Sequence, residues 1–154
     1  AFYFDRRFDL AIEQFRKAID LDPNFWLAHI FLGLAYEKQG RYVEALAEFQ
    51  KTISPSSYNP AGQAYVGHAL ALSGKRNEAR KVLDEYKRSE SPASWALATL
   101  YAGLEDRDQA FAWLEKAAEE RFVVLASLKV DPVFDSLRSD PRFDKLLRRM
   151  GLAP

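Results

Sequence analysis

Residues 32–49 read LGLAYEKQGRYVEALAEF, with one glycine, Gly33, inside an apolar run and a second, Gly40, just before another. A glycine in mid-helix costs about 1 kcal/mol relative to alanine, so Gly33 needs a packing reason. The same stretch returns at residues 66–83 as VGHALALSGKRNEARKVL. Gly33 recurs as Gly67, Gly40 as Gly74, Ala45 as Ala79 and Phe49 as Leu83, each 34 residues on. A fixed period of this length marks stacked copies of one supersecondary unit, each unable to bury its apolar face alone.

The period extends both ways. Upstream, Ala11, Phe15 and Ala18 match Ala45, Phe49 and Thr52, so a first unit enters partway through its first helix. The chain opens without methionine, and AFYFDRRFD carries charges where a signal peptide needs an unbroken apolar stretch. The expectation is a piece of a longer protein. Downstream the spacing falls to 31, with Leu70 matching Tyr101, Ala79 matching Ala110 and Leu83 matching Leu114. A shorter connection before Pro92, in KRSESPAS, accounts for the change.

Apolar positions recurring at three and four place two helices in each unit. The expected helices are 24–38 and 42–53, then 60–73 and 77–88, then 92–104 and 108–119. Pro23, Pro60 and Pro92 fall at unit junctions, where a helix can begin with proline but not run through it. Gly40 and Gly74 turn the chain within a unit. Small residues are then expected to meet between the helices of a unit, Gly33 against Ala45 and Gly67 against Ala79, with Ala98 against Ala110 in the fourth. The array divides into units 1–25 (partial), 26–59, 60–90 and 91–121, followed by capping helices at 122–154.

Composition narrows the function. The 154 residues are 48% hydrophobic and 14% aromatic, enough to bury a core. Lys and Arg total 22 against 22 for Asp and Glu, a net charge of +0 that gives no general attraction to nucleic acid or an anionic membrane. With no cysteine there is no disulfide and no thiolate nucleophile or ligand. The longest apolar run, WLAHIFLGLAY, is too short to span a bilayer. Neither nucleic acid, membrane nor cofactor is therefore expected as a partner.

Leu32, Gly33, Tyr36, Ala45 and Phe49, with Ala11, Phe15, Ala18 and Pro23 of the first unit, resemble the signature of the tetratricopeptide repeat, a helix-turn-helix unit of this period. The chain departs from it at His29, Gln63 and Ser94, where the family often has tryptophan, at Leu70 for the tyrosine, and at Tyr86 for a small residue. The resemblance implies an all-α, right-handed solenoid of antiparallel helix pairs, about three and a half units long, with no catalytic activity. It also implies a concave face, lined by the first helix of each pair, that takes a peptide or partner helix. That face maps onto Leu27, Ile30, Leu34, Lys38, His68, Leu72, Trp95 and Thr99. Relatives that clamp a chaperone's terminal carboxylate use Lys, Asn and Arg there. Ile30, Leu34 and Ala64 stand in this chain instead, which points to an apolar peptide, an amphipathic helix or the protein's own flanking segment.

The tail, LKVDPVFDSLRSDPRFDKLLRRMGLAP from residue 128, leaves the repeat. Asp131-Pro132 and Asp140-Pro141 each pair an acidic N-cap with proline at the first helical position. Phe134, Leu137, Phe143, Leu146 and Leu147 form an apolar stripe suited to capping the last unit. The segment also resembles the end of tetratricopeptide tails in bacterial signalling and regulatory proteins, which implies a cytoplasmic regulatory tail as the alternative to a free-standing scaffold. The incomplete first unit leaves Ile12, Phe15 and Ile19 short of cover and suggests a weak homodimer.

Enzyme chemistry finds no support. GHALALSGKR, residues 67–76, has the wrong glycine spacing for a phosphate loop and no Ser or Thr after Lys75. His29 and His68 have no nucleophile or carboxylate at a predictable spacing and read as packed or groove-lining side chains. The paired acids, Asp20 with Asp22 and Glu119 with Glu120, fall at helix ends, and no carboxylate cluster offers a zinc site.

Overall fold

The period appears in the backbone as one chain reversal that recurs in every unit. In the computed structural model, which describes residues 2–53, 59–120 and 123–152, Gly40 and Gly74 take left-handed φ values of 73° and 87°. The Gly40 N–H donates to the Glu37 carbonyl at 2.9 Å and the Arg41 N–H to that of Tyr36 at 2.9 Å. Gly74 and Lys75 repeat the pair on Ala71 and Leu70. These bonds satisfy the last carbonyls of a helix and reverse the chain. Arg6 with Arg7, and Glu105 with Asp106, make the same two bonds, on Tyr3 and Phe2 and on Ala102 and Tyr101. Arg6 and Glu105 hold φ at 60° and 61° without being glycine, which is why sequence reading found only the two glycine turns.

Between these turns run α1 (Phe8–Leu21), α2 (Trp26–Lys38), α3 (Tyr42–Lys51), α4 (Pro60–Leu72), α5 (Arg76–Lys87), α6 (Ser94–Gly103) and α7 (Arg107–Glu119). Two 3-10 segments, Val123–Ser127 and Pro132–Leu137, lead to α8 (Pro141–Arg149). Among the described residues there is no strand. Helices α2 and α3, α4 and α5, and α6 and α7 pack as pairs, while α2 packs on α4 and α4 on α6. The molecule is an all-α helical solenoid. The expected boundary between array and cap, 121 to 122, lies at or outside the described residues.

Helix starts follow local chemistry. Pro60 opens α4 behind Asn59, whose side chain accepts the Ala61 N–H at 3.0 Å. α2 begins at Trp26 rather than at residue 24, because the Asp22 carboxylate takes the Asn24 N–H at 3.0 Å and holds residues 22–25 in a turn. His29 ties that turn down, with Nε2 2.9 Å from the Pro23 carbonyl and Nδ1 2.6 Å from Glu48 of α3. Tyr86, the large residue where the repeat favours a small one, is fully buried at the shortened connection, and its hydroxyl accepts the Ala93 N–H at 3.3 Å. A shorter loop leaves that space, and the ring fills it.

The glycines make room for large side chains, not for a meeting of small ones. A Cβ on Gly33 would lie 2.4 Å from Cε1 of Phe49, and one on Gly67 would lie 2.2 Å from Leu100 Cδ2 and 3.1 Å from Val82 Cγ1. The expected close approach of Gly67 to Ala79 gives way to insertion of Leu100 from α6 and Val82 from α5. Knobs of this size fit only where the opposing helix has no side chain. Gly33→Ala therefore forces the fully buried Phe49 ring to move and should cost about 1 to 3 kcal/mol, in spite of alanine's better helix propensity. The urea midpoint should fall at unchanged m, and Gly33→Ala with Phe49→Leu should recover part of the loss. A neutral or stabilising Gly33→Ala would remove this account of the glycine.

Candidate functional site

The first helices are apolar almost all round. In α6 every residue from Ser94 to Gly103 is buried, and in α2 so are Ala28–Ile30 and Leu32–Glu37. The second helices are amphipathic instead: α3 buries Ala45 and Phe49 with Tyr42, Leu46 and Glu48 half-buried, and α5 buries Ala79, Leu83 and Tyr86 with Val82 half-buried, each turning its other side to solvent. A helix buried on every side needs cover on every side. The second helices supply one side of α2, α4 and α6, and the chain's own ends supply the other.

The C-terminal cover is the Pro132–Leu137 segment, which packs on α6 and buries Pro132, Val133, Phe134 and Leu137. Asp131 caps it, accepting the Val133 N–H at 3.0 Å. From α2, Lys38 Nζ donates to the Pro132 carbonyl at 2.6 Å. From the N-terminal turn, the Tyr3 hydroxyl donates to Asp131 at 3.4 Å, and the Arg6 guanidinium grips Asp135 with two bonds of 2.8 and 2.7 Å. Arg138 braces the segment from within, through Asp135 at 2.7 Å and the Asp131 carbonyl at 2.9 Å. At the other edge, Tyr3, Phe4, Phe15 and Phe31 pack in a ring cluster, with Phe4 and Phe31 at 5.8 Å and Phe15 and Phe31 stacked at 5.5 Å. Phe25, Leu27 and Ala28 join them around an open cavity of about 220 Å³.

Under this cover lies a buried polar pair. Glu37 Oε2 of α2 sits 2.9 Å from His68 Nδ1 of α4, and both residues are at most 5% exposed. Glu37 Oε1 has no hydrogen-bond partner among the described residues. Close approach of α6 holds His68 in place, since a Cβ on Gly103 would lie 3.0 Å from the His68 Cα. Burial raises the Asp131 carboxyl, against the opposing pull of the Val133 N–H, Lys38 and Tyr3. Burial, then Asp131, raises the Tyr3 hydroxyl. Asp135 goes the other way: burial raises it, and the Arg6 and Arg138 guanidiniums outweigh burial and hold it below the ordinary range.

The eight positions expected to line a concave face therefore divide. Ile30, Leu34, His68, Trp95 and Thr99 are buried, with the Thr99 hydroxyl turned back onto the Trp95 carbonyl at 3.0 Å. Lys38 holds the tail segment. Leu27 and Leu72 are 38% and 39% exposed. Of the residues expected to lack cover, Ile12 is buried, and Phe15 and Ile19 are half-buried, because the aromatics of the N-terminal turn pack there. The exposed apolar side chains at that end are Leu21, Phe25 and Trp26. The apolar stripe of the tail also divides, with Phe134 and Leu137 buried in the 3-10 segment and Phe143, Leu146 and Leu147 in α8, which packs on α7. Sequence reading gave Asp131 as an N-cap but missed its contact with Tyr3, and it missed Tyr3, Arg6 and Asp135 altogether. The available signal was α6, whose SWALATLYAG has no charged residue and so could not leave a side in water.

Among the described residues, no group of three or more His, Asp or Glu converges as metal ligands, and no helix is long and apolar enough to cross a membrane. Stacked helix pairs with a polar outside and an apolar inner face define a helical-repeat protein. Tetratricopeptide repeat models match residues 1–60 and 91–122, together more than half of the chain, and the chain belongs to the tetratricopeptide repeat family. It is 38% identical over 58 residues to a TPR repeat-containing protein of Methanocaldococcus jannaschii, covering 38% of this chain and 17% of that one. It is 32% identical over 102 residues to the TPR repeat-containing protein YpiA of Bacillus subtilis, covering 64% of this chain and 24% of that one. Over 159 residues it is 33% identical to the probable UDP-N-acetylglucosamine–peptide N-acetylglucosaminyltransferase SPINDLY of Eustoma exaltatum, covering 94% of this chain and 17% of that one. The chain thus spans a quarter or less of the length of these relatives. No solved structure matches it.

The tail's charge pairs set a pH dependence. Asp140, which caps α8, is held down at about 2 by the Arg142 side chain and backbone, below the ordinary 3.8. A depressed carboxyl stabilises the fold above its unfolded pKa and loses that contribution as pH falls through its folded value. The thermal midpoint of the parent should therefore exceed that of Asp140→Asn at neutral pH, and the gap should close between about pH 4 and pH 2. A gap unchanged over that window would show that the Asp140–Arg142 pair does not hold α8.

Proposed function

We propose that this chain is a non-catalytic protein-interaction module whose partner, a peptide or helix, lies against the face of α2, α4 and α6. One observation carries the reading: a segment of the chain itself, Pro132–Leu137, is seated on α6 with its apolar side chains buried and a backbone carbonyl on Lys38 at the end of α2. A surface that accepts one irregular apolar segment has the shape and chemistry to accept another. Ile30, Leu34, His68, Trp95 and Thr99 form the wall, and Leu27 and Leu72 are its solvent-facing ends. The relatives are several times longer, which favours a second reading in which the module serves as a regulatory tail to another domain.

Photo-crosslinking tests the face without disturbing the core. A benzophenone amino acid at Leu27 or Leu72 should capture the partner, whereas one at Val43, 80% exposed on α3, should not. Leu72→Glu should abolish capture by a probe at Leu27, and Leu27→Glu capture by a probe at Leu72, with the helical circular dichroism unchanged. Equal capture from Val43, or capture that survives these substitutions, would move the partner off this face.

A further inference from the structure

We propose that the Asp131–Leu137 segment is a displaceable occupant of the α2–α4–α6 face, and that the partner replacing it brings an aromatic anchor together with a hydrogen-bond donor for Glu37. The inference rests on the interaction reading above and names the chemistry of its partner.

Three features mark the segment as a stand-in. The first is the unmet acceptor: Glu37 Oε1 is buried on the covered face with no partner among the described residues. An unpaired buried oxygen of a carboxylate is costly, and the tail brings no donor to it. What the tail does bring near the Glu37–His68 pair is a second acid, Asp131, only 6% exposed. The second feature is the grip. Lys38 holds a backbone carbonyl, which every peptide has, and Asp135 is held by Arg6, itself about half exposed. The first contact is independent of side-chain sequence, and the second requires only an acidic side chain. The third is conformation: the segment is a short 3-10 piece broken at Phe134, with φ −98° and ψ 17°, and lies on the helices as a bound peptide would. Its apolar anchors, Val133, Phe134 and Leu137, supply its hold.

A tethered segment competes at an effective concentration in the millimolar range, so a free peptide binds in proportion to the fraction of chains whose tail is released. The probe is a fluorescein-labelled peptide of residues 128–137, LKVDPVFDSL, read by anisotropy against the full chain. Asp135→Asn in the chain loosens its tail while the peptide keeps its own aspartate for Arg6, and affinity should rise roughly two- to fivefold. Phe134→Ala, which empties the main anchor, should raise it on the order of a hundredfold or more. The chain has no cysteine, so Arg6→Cys with Asp135→Cys can be bridged by a short bis-maleimide to lock the tail, and binding should then vanish. A second peptide with lysine in place of Asp131 offers Glu37 a charged donor and should bind about tenfold tighter than the first.

Equal affinity for parent, Asp135→Asn and locked chains would overturn the proposal, as would no binding to a Phe134→Ala chain that circular dichroism shows folded. No gain from the lysine peptide would overturn the assignment of a donor to Glu37. If a partner crosslinks at Leu27 and Leu72 of the locked chain, the face is used with the tail in place, and only the displacement falls.

Discussion

The structure depends on one constraint, that the first helix of each pair is apolar on more sides than its own partner helix can cover. α6 is the extreme case, buried along its whole length. Among the described residues, part of the remaining cover comes from the N-terminal turn and from the Pro132–Leu137 segment. This is why residues 128 and 129 positions apart are in contact, Tyr3 on Asp131 and Arg6 on Asp135. Burial of Val133, Phe134 and Leu137 contributes about 1.5 to 3 kcal/mol each by area. The exposed Arg6–Asp135 pair contributes about 1 kcal/mol at most. Apolar burial holds the tail down, and the ion pair fixes its register.

The same constraint explains the interior's composition. Large side chains insert where a first helix has none, Phe49 of α3 at Gly33 within a pair and Leu100 of α6 at Gly67 where two first helices cross. Gly103 lets α6 approach the backbone of α4 at His68, and that approach closes the space around the His68–Glu37 pair. A buried carboxylate with one oxygen bonded is tolerated because its neighbours are rigid, but removing His68 would leave both oxygens unpaired. Packing and polarity meet at this point, under the residues that Asp131 and Lys38 contribute.

The helix pairs were legible in the sequence because period and glycine turns are local signals. Gly40 and Gly74 announce the turn, and Asn59-Pro60, Asp131-Pro132 and Asp140-Pro141 announce helix starts, each recognisable from a few adjacent residues. Arg6 and Glu105 make the same turn without announcing it, since the hydrogen bonds of the unit impose the left-handed φ whatever the side chain. The expected face was legible as a set of apolar positions, Ile30, Leu34 and Trp95 among them, with a flanking segment of the chain among its expected occupants, but not which segment would cover it. No local pattern couples Arg6 to Asp135 across 129 positions. The partner of each glycine was also hidden: Gly67 faces Leu100 of the following unit, and only the crossing of α4 and α6 brings them together.

A face that must be covered for stability and a face that binds a partner make opposed demands on the same residues. If the cover were optimal, with every buried polar group paired, displacement would cost its full burial and no peptide at cellular concentration would compete. An open face would leave α6 in water and the fold short of a core. The arrangement at Glu37 and Asp131 lies between these limits, with apolar anchors strong enough to close the face and a polar centre that the tail leaves half satisfied. On the displacement proposed above, the free energy missing at that centre is what a better-matched partner would gain over the tail, with the polar defect setting selectivity and the apolar anchors the threshold for binding.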